Sequence, residues 1–139
     1  MRLDNILEGA TIFATLVLVD VGLNYLNNYR NLSYYQKTNL SELSAREIFQ
    51  SERKKFGLQN SEINLVLDNP RKYGCDSDVA CATGNNLSFK VIINPEYASK
   101  ISIKHELCHV KRMASGSFLS GLVLGQIEEW MATSCSLED

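Results

Sequence analysis

Three residues in the last third of the chain have the types and spacing of a hydrolytic metal site. His105, Glu106 and His109 form the pattern H-E-x-x-H. Residues four apart on a helix share a face, so both imidazoles can point at one ion while the glutamate lies at the edge of that face. Zinc binds imidazole well, and a neighbouring carboxylate can take a proton from zinc-bound water. The pattern therefore predicts Zn²⁺ bound by His105 and His109, with Glu106 as the general base of peptide-bond hydrolysis.

The alternative explanation of this pattern is chance, or a metal site that is structural or degenerate. The chain has only two histidines, and both lie in the pattern. A purely structural site has no use for a carboxylate next to its first ligand. The functional interpretation is therefore favoured, and Glu106 is the residue that separates the two interpretations.

A catalytic zinc needs a third protein ligand, and no third histidine exists. The chain is expected to reverse at residues 114–117 and to form a second helix over residues 126–136, which carries Glu128 and Glu129. At 100° per residue, Glu129 shares its face with small side chains and with Thr133, which could support the ligand. Glu129 is thus predicted to be the third ligand, and we expect the other acid of the pair to be solvated at the helix surface.

These residues resemble a known family. The sequence H-E-L-C-H at 105–109, followed by E-W-M-A at 129–132, is similar to the gluzincin metallopeptidases, in which a glutamate on a following helix, often in the form E-x-x-A-[DN], completes the site. The resemblance covers about the last fifty residues, and the small size is similar to the minimal members called minigluzincins. It implies a peptide or protein substrate, held in extended form by an upstream edge strand.

The elements around the motif predict a small α+β zincin-like domain at residues 31–139. Apolar alternation indicates strands at 62–67 and 87–93, and the motif helix is expected over about 99–113. The prediction is a mixed sheet with an edge strand next to the H-E-x-x-H helix, a following helix with the glutamate ligand, and an apolar N-terminal helix within residues 1–30. We expect the free edge of the strand at 87–93 to bind an extended peptide.

The segment at residues 27–38 is polar and aromatic and is predicted to be a connector. Of the six tyrosines in the chain, Tyr73 and Tyr97 are alternative donors to the oxyanion of a tetrahedral intermediate. The sequence does not decide between them.

The N-terminal helix leaves three alternatives open. Residues 9–19 form an eleven-residue run without charge, which is shorter than the roughly 18 residues of a clear membrane span. The run is compatible with a core or docking helix buried on most of its circumference. It is also compatible with a membrane anchor or uncleaved signal, giving membrane association through residues 6–26, or with a cleaved signal.

The four cysteines are predicted to form two disulfides. Cys75 and Cys81 bracket a short loop, while Cys108 and Cys135 lie on the flanks of the two helices that carry the predicted ligands. Disulfides favour an exported or membrane-associated protein over a cytoplasmic one, the alternative being four buried thiols in the cytosol.

Composition limits the remaining function classes. The chain has 139 residues, 45% of them hydrophobic and 22% charged, with a formal net charge of -2. These values indicate one ordinary globular domain and no nucleic-acid partner.

From the motif and the resemblance we expect a zinc-dependent peptidase, an endopeptidase rather than an exopeptidase. The alternative is a non-catalytic zincin-like binding or regulatory module, and the oligomeric state stays open.

Overall fold

The structure is a computed structural model that describes residues 3–30, 34, 36–85, 87–120 and 122–137. This part of the chain forms four α-helices and one three-stranded mixed sheet, which confirms the predicted α+β class and the apolar N-terminal helix. The bounds are α1 Leu3–Arg30, α2 Glu42–Lys55, β1 Glu62–Leu67, β2 Ala80–Gly84, β3 Ser88–Ile93, α3 Lys100–Ala114 and α4 Leu122–Leu137.

The strand order of the sheet is β1-β3-β2. β1 runs parallel to β3, with Leu65 opposite Val91, and β2 runs antiparallel to β3, with Ala82 opposite Val91. Both edges of β3 are therefore covered, and the prediction that residues 87–93 offer a free edge is wrong. The edge strand next to the motif helix is β2 instead. Its short sequence of small residues lacks the apolar alternation by which the other two strands were predicted.

After β2 the chain reverses in a tight turn and continues as the antiparallel strand β3. A side chain at Gly84 would place its Cβ 2.5 Å from the carbonyl oxygen of Ser88 and 2.7 Å from the ring of Phe89, so only glycine has room there. The Asn85 side chain accepts from the backbone N–H groups of Leu87 and Ser88 at 3.0 and 3.1 Å. Asn86, between Asn85 and Leu87, lies outside the described part of the chain.

The motif helix α3 lies at the centre of the fold. Ser99 is its N-cap and forms a capping box with Ser102, and Gly116 follows its C-terminus in a left-handed conformation at φ 70°. Every residue from 102 to 110 is buried, because the sheet, α2 and α4 all pack around this helix. The predicted span of 99–113 is confirmed to within one residue at each end, and α3 enters the hydrophobic core through Ile103, Leu107 and Val110.

Both predicted disulfides are confirmed. Cys75 and Cys81 close the loop that leads into β2, and Cys108 and Cys135 join α3 to α4. The helix predicted over residues 126–136 is real but begins earlier, at Leu122. Gly125 lies within it.

The N-terminal helix α1 packs against α4. The Nδ2 atom of Asn27 donates to the main-chain oxygen of Gln126 at 2.8 Å. Only Asn27 is buried among residues 9–27, with Asp20 and Leu23 half-buried on the same stripe. Over residues 9–27, α1 contacts the rest of the chain along this stripe only, so the burial on most of its circumference that one of the three alternatives expected is not seen within this chain.

The range Gly9–Asn27 is long and apolar enough to cross a membrane, with 19 residues and a mean hydropathy of 1.6. Length and composition alone support this statement. The predicted connector at 27–38 begins later than expected, since α1 continues to Arg30, and residues 31–33 and 35 fall outside the described part of the chain.

Candidate metal centre

Three side chains from two helices converge at one point. His105 and His109 lie one turn apart on α3, and their Nε2 atoms are 3.1 Å from each other. From α4, Glu129 places one carboxylate oxygen 3.1 Å from Nε2 of His105 and the other 3.3 Å from Nε2 of His109. The structure thus brings together the three residues that the sequence predicted as ligands, and this group could hold a metal ion.

The separation of the two imidazole nitrogens agrees with tetrahedral coordination. Metal bonds of 2.0–2.1 Å to imidazole nitrogen and carboxylate oxygen place the ligand atoms of a tetrahedron about 3.3 Å apart. The two Nε2 atoms are 3.1 Å apart, and each lies 3.1 to 3.3 Å from a different oxygen of the Glu129 carboxylate. With one ligand atom from each residue, the three donors lie within 4.8 Å of one another. Three donors fill three corners of such a tetrahedron, so the fourth corner is left for a small molecule.

The donor group opens into a cavity of about 850 Å³. The side chains of His105 and His109 are 2% and 7% exposed, whereas that of Glu129 is 45% exposed. Glu106, Phe118 and residues 75–83, which include the edge strand, line the same cavity. A molecule that enters the cavity therefore meets the donors, the motif glutamate and the edge strand together.

The motif glutamate is buried and has one unsatisfied oxygen. Oε1 of Glu106 accepts a hydrogen bond of 2.6 Å from the hydroxyl of Tyr34, and Oε2 has no hydrogen-bond partner among the described residues. Burial raises the pKa of this carboxyl above its ordinary value, while the charges of His105 and His109 and the Tyr34 hydrogen bond act in the opposite direction. Glu106 is therefore a buried acceptor whose affinity for a proton is increased.

Tyr34 is a site residue that sequence reasoning missed. Its ring packs against that of His105, with the centroids 4.8 Å apart. It precedes Glu106 by 72 residues and lies in a segment without periodic pattern, so no local feature of the sequence indicated it. The two predicted tyrosines, Tyr73 and Tyr97, also line the cavity, and the Tyr73 hydroxyl contacts Asp68.

Glu128 is a second residue of the site that sequence reasoning did not identify. Its carboxylate is buried, with one oxygen 3.1 Å from Nδ1 of His109 and the other accepting from Nε of Arg112 at 2.7 Å and from the backbone N–H of Leu119 at 3.2 Å. The expectation of one solvated acid in the pair is wrong, because the segment between α3 and α4 folds over Glu128. A carboxylate on Nδ1 orients the imidazole, and here Nε2 points at His105 and Glu129.

The carboxylates also set the protonation of the site. Burial acts to lower the pKa of His109, but hydrogen bonds to Glu128 and Glu129 and the charge of Glu106 outweigh it and raise the pKa to about 10. Burial acts to raise the pKa of Glu129, yet the hydrogen bonds and charges of both histidines hold it well below its usual range. The donor group therefore holds a proton at neutral pH that a metal ion must displace.

Thr133, which the sequence placed on the face of Glu129, is buried behind it. Its hydroxyl donates to the main-chain oxygen of Glu129 at 2.8 Å. Thr133 was expected to support the Glu129 ligand, and its hydroxyl bonds to the backbone of that residue.

No family model, no curated protein and no solved structure matches this chain. The gluzincin resemblance consequently stays a prediction that depends on the motif and on the geometry of the site.

Proposed function

We propose that the chain is a zinc-dependent peptidase of gluzincin type, in which His105, His109 and Glu129 bind the metal and Glu106 is the general base. The observation that carries this proposal is the convergence of His105, His109 and Glu129, in which each imidazole Nε2 lies 3.1 to 3.3 Å from an oxygen of the Glu129 carboxylate, beside a cavity that the Glu106 carboxylate also lines. A structural zinc site is closed by four protein ligands, whereas a catalytic one keeps a position open.

Two imidazole nitrogens and one carboxylate oxygen are a donor set that suits zinc. Bound there, zinc supplies Lewis acidity, which lowers the pKa of a water and polarises the carbonyl of a peptide bond. The protein's part is to fix the donors. Glu128 fixes His109 through Nδ1, and the disulfide between Cys108 and Cys135 fixes α4 against α3.

Glu106 has the properties that proton transfer requires. A general base works best when its pKa lies near the working pH, and burial moves the pKa of Glu106 in that direction. Tyr34 holds one carboxylate oxygen, which leaves Oε2 to accept a proton from the attacking water and to deliver it to the leaving amine. Tyr34 thus positions the carboxylate for its role.

The edge strand supports an extended peptide as the substrate. Among the described residues β2 pairs with β3 alone, and its residues 80–83 line the cavity of the donor group. Because the main-chain oxygen of Ala80 already accepts from the Tyr34 hydroxyl at 3.4 Å, a peptide would add to the outer edge beyond Ala80. Backbone hydrogen bonds along a strand hold the middle of a peptide and need no chain terminus. This arrangement favours an endopeptidase.

Metal analysis and peptidase assays on matched glutamine variants test the proposal. We expect about one zinc per chain after metal-replete purification, and loss of zinc in Glu129→Gln. Glu106→Gln should keep the zinc and lose activity by about 10²- to 10⁴-fold, which is the usual contribution of a general base. Glu47→Gln, an exposed substitution on α2, is the matched control and should change neither property.

Three results would contradict the assignment. Wild-type protein without zinc would remove the metal centre. Loss of zinc in Glu106→Gln would make Glu106 a ligand. Zinc binding without any hydrolysis of peptides would favour the non-catalytic binding module.

A further inference from the structure

Apolar side chains are exposed on every side of α1. Leu16, Val17, Leu18 and Val19 follow one another and are 43%, 36%, 73% and 44% exposed. Successive residues on a helix are 100° apart, so four of them cover the whole circumference. A protein partner that packs on α1 would cover one face and leave the others in water. A surrounding of lipid tails covers all faces at once.

The length of this apolar stretch agrees with a bilayer. The 19 residues of Gly9–Asn27 extend about 28 Å at 1.5 Å per residue, and the hydrocarbon core of a bilayer is about 30 Å thick. Asp20 is the single charged residue in this range, and it is half-buried on the stripe that also carries Leu23 and Asn27. The opposite face carries Leu18 and Val21, which are 73% and 59% exposed, together with the exposed polar side chains of Thr11, Thr15 and Tyr25.

The C-terminal end of the same stretch reaches the metal centre. Asn24 and Asn27 line the cavity of the donor group, and Asn27 donates to the backbone of Gln126 on α4. Glu129 lies three residues further along α4, and Trp130 follows it at 48% exposure. Tryptophan is enriched at the interface between lipid and water. The cavity therefore lies at the C-terminal end of the apolar stretch, where the polar side chains of Asn24 and Asn27 follow the apolar ones.

We propose that a lipid bilayer covers α1, so that this helix anchors the chain and holds the metal cavity at the membrane surface. Substrates are then polypeptide segments that lie next to a membrane. The anchoring stands on the exposure and length of α1, and only the substrate class rests on the proposed peptidase function.

The test uses the full chain with phosphatidylcholine vesicles, separated by flotation after an alkaline carbonate wash. In the variant Leu18→Lys/Val21→Lys, two lysines enter the centre of the apolar stretch on the face away from α4. The matched control Leu43→Lys/Leu87→Lys replaces two apolar residues that are 68% and 82% exposed outside α1. Wild type and control should float with the vesicles. Each lysine in the span should lower the inserted fraction on the order of 100-fold, so the α1 variant should stay in the aqueous phase.

Trp130, the single tryptophan of the chain, lies on α4 and reports the depth of this helix relative to the bilayer. Spin-labelled lipids should quench Trp130 more strongly when the label lies near the headgroups than when it lies at the bilayer centre. Equal and weak quenching by both labels would overturn the placement of the cavity at the membrane surface.

Two outcomes of flotation would overturn the anchor. Wild-type protein that stays in the aqueous phase as a monomer would show that lipid does not cover α1. A soluble wild-type dimer that Leu18→Lys/Val21→Lys dissociates would show that a second copy covers it. Zinc content and cleavage of a soluble peptide are measured on the same samples, so failure of the anchor is distinguishable from failure of the peptidase assignment.

Discussion

The disulfide between Cys108 and Cys135 joins the helix that carries both histidines to the helix that carries Glu129. Replacing both cysteines by alanine removes this link. Alanine is preferred to serine because Cys108 is completely buried and a hydroxyl there would need a partner. The other disulfide, removed in Cys75→Ala/Cys81→Ala, serves as the matched comparison, since it closes a loop that supplies no donor to the metal group.

The loop lengths set the expected losses of stability. The sequence separations are 27 for Cys108 to Cys135 and 6 for Cys75 to Cys81. In the chain-entropy relation a cross-link of these lengths stabilises the fold by about 3.5 and about 2.2 kcal/mol at 25 °C, respectively. Urea denaturation should therefore show a larger loss of unfolding free energy for Cys108→Ala/Cys135→Ala, by about 1.3 kcal/mol.

Zinc affinity should separate the two variants more clearly than stability does. Without the link, α4 must be ordered against α3 when the metal binds, and this ordering reduces the observed affinity. Competition with a chromophoric chelator should show weakening on the order of tenfold or more for Cys108→Ala/Cys135→Ala, and wild-type affinity for the comparison variant. Equal losses of affinity in both variants, or wild-type stability in Cys108→Ala/Cys135→Ala, would refute this reasoning.

Two further predictions concern protons at the site. Because the pKa of His109 is about 10 in the folded protein against 6.5 as its ordinary value, its proton stabilises the metal-free fold fully below pH 6.5, and this contribution is lost as the pH rises through 10. Zinc binding at pH 8 should release about one proton, measurable by calorimetry in buffers of different ionisation enthalpy, and binding without proton release would contradict the raised pKa. Tyr34→Phe removes a hydrogen bond that lowers the pKa of Glu106, so the acidic limb of the pH–activity profile should move to higher pH. Tyr73→Phe is the control, and an unchanged limb in both variants would show that Tyr34 does not act on the base.

Local spacing in the sequence was sufficient for the parts of the site that lie on one element. Residues four apart share a helical face, so His105 and His109 had to point together, and the structure places their Nε2 atoms 3.1 Å apart. The strands at 62–67 and 88–93 alternate apolar residues and form as expected. The flank positions of Cys108 and Cys135, and the short loop between Cys75 and Cys81, also predicted the correct pairings.

The contributions of separate elements were decided only by the tertiary structure. Helical periodicity favoured Glu129 over the chemically identical Glu128 as the ligand, but the burial of Glu128 against His109 depends on the rotation of α4 against α3 and on the segment that folds over Glu128. Tyr34 reaches Glu106 across 72 residues of chain, and β2 became the edge strand because β3 pairs on both sides. Periodicity defines the faces of an element but not the neighbour that each face meets. For the same reason composition left three alternatives for α1, and only its packing along a single stripe showed that its apolar surface is exposed.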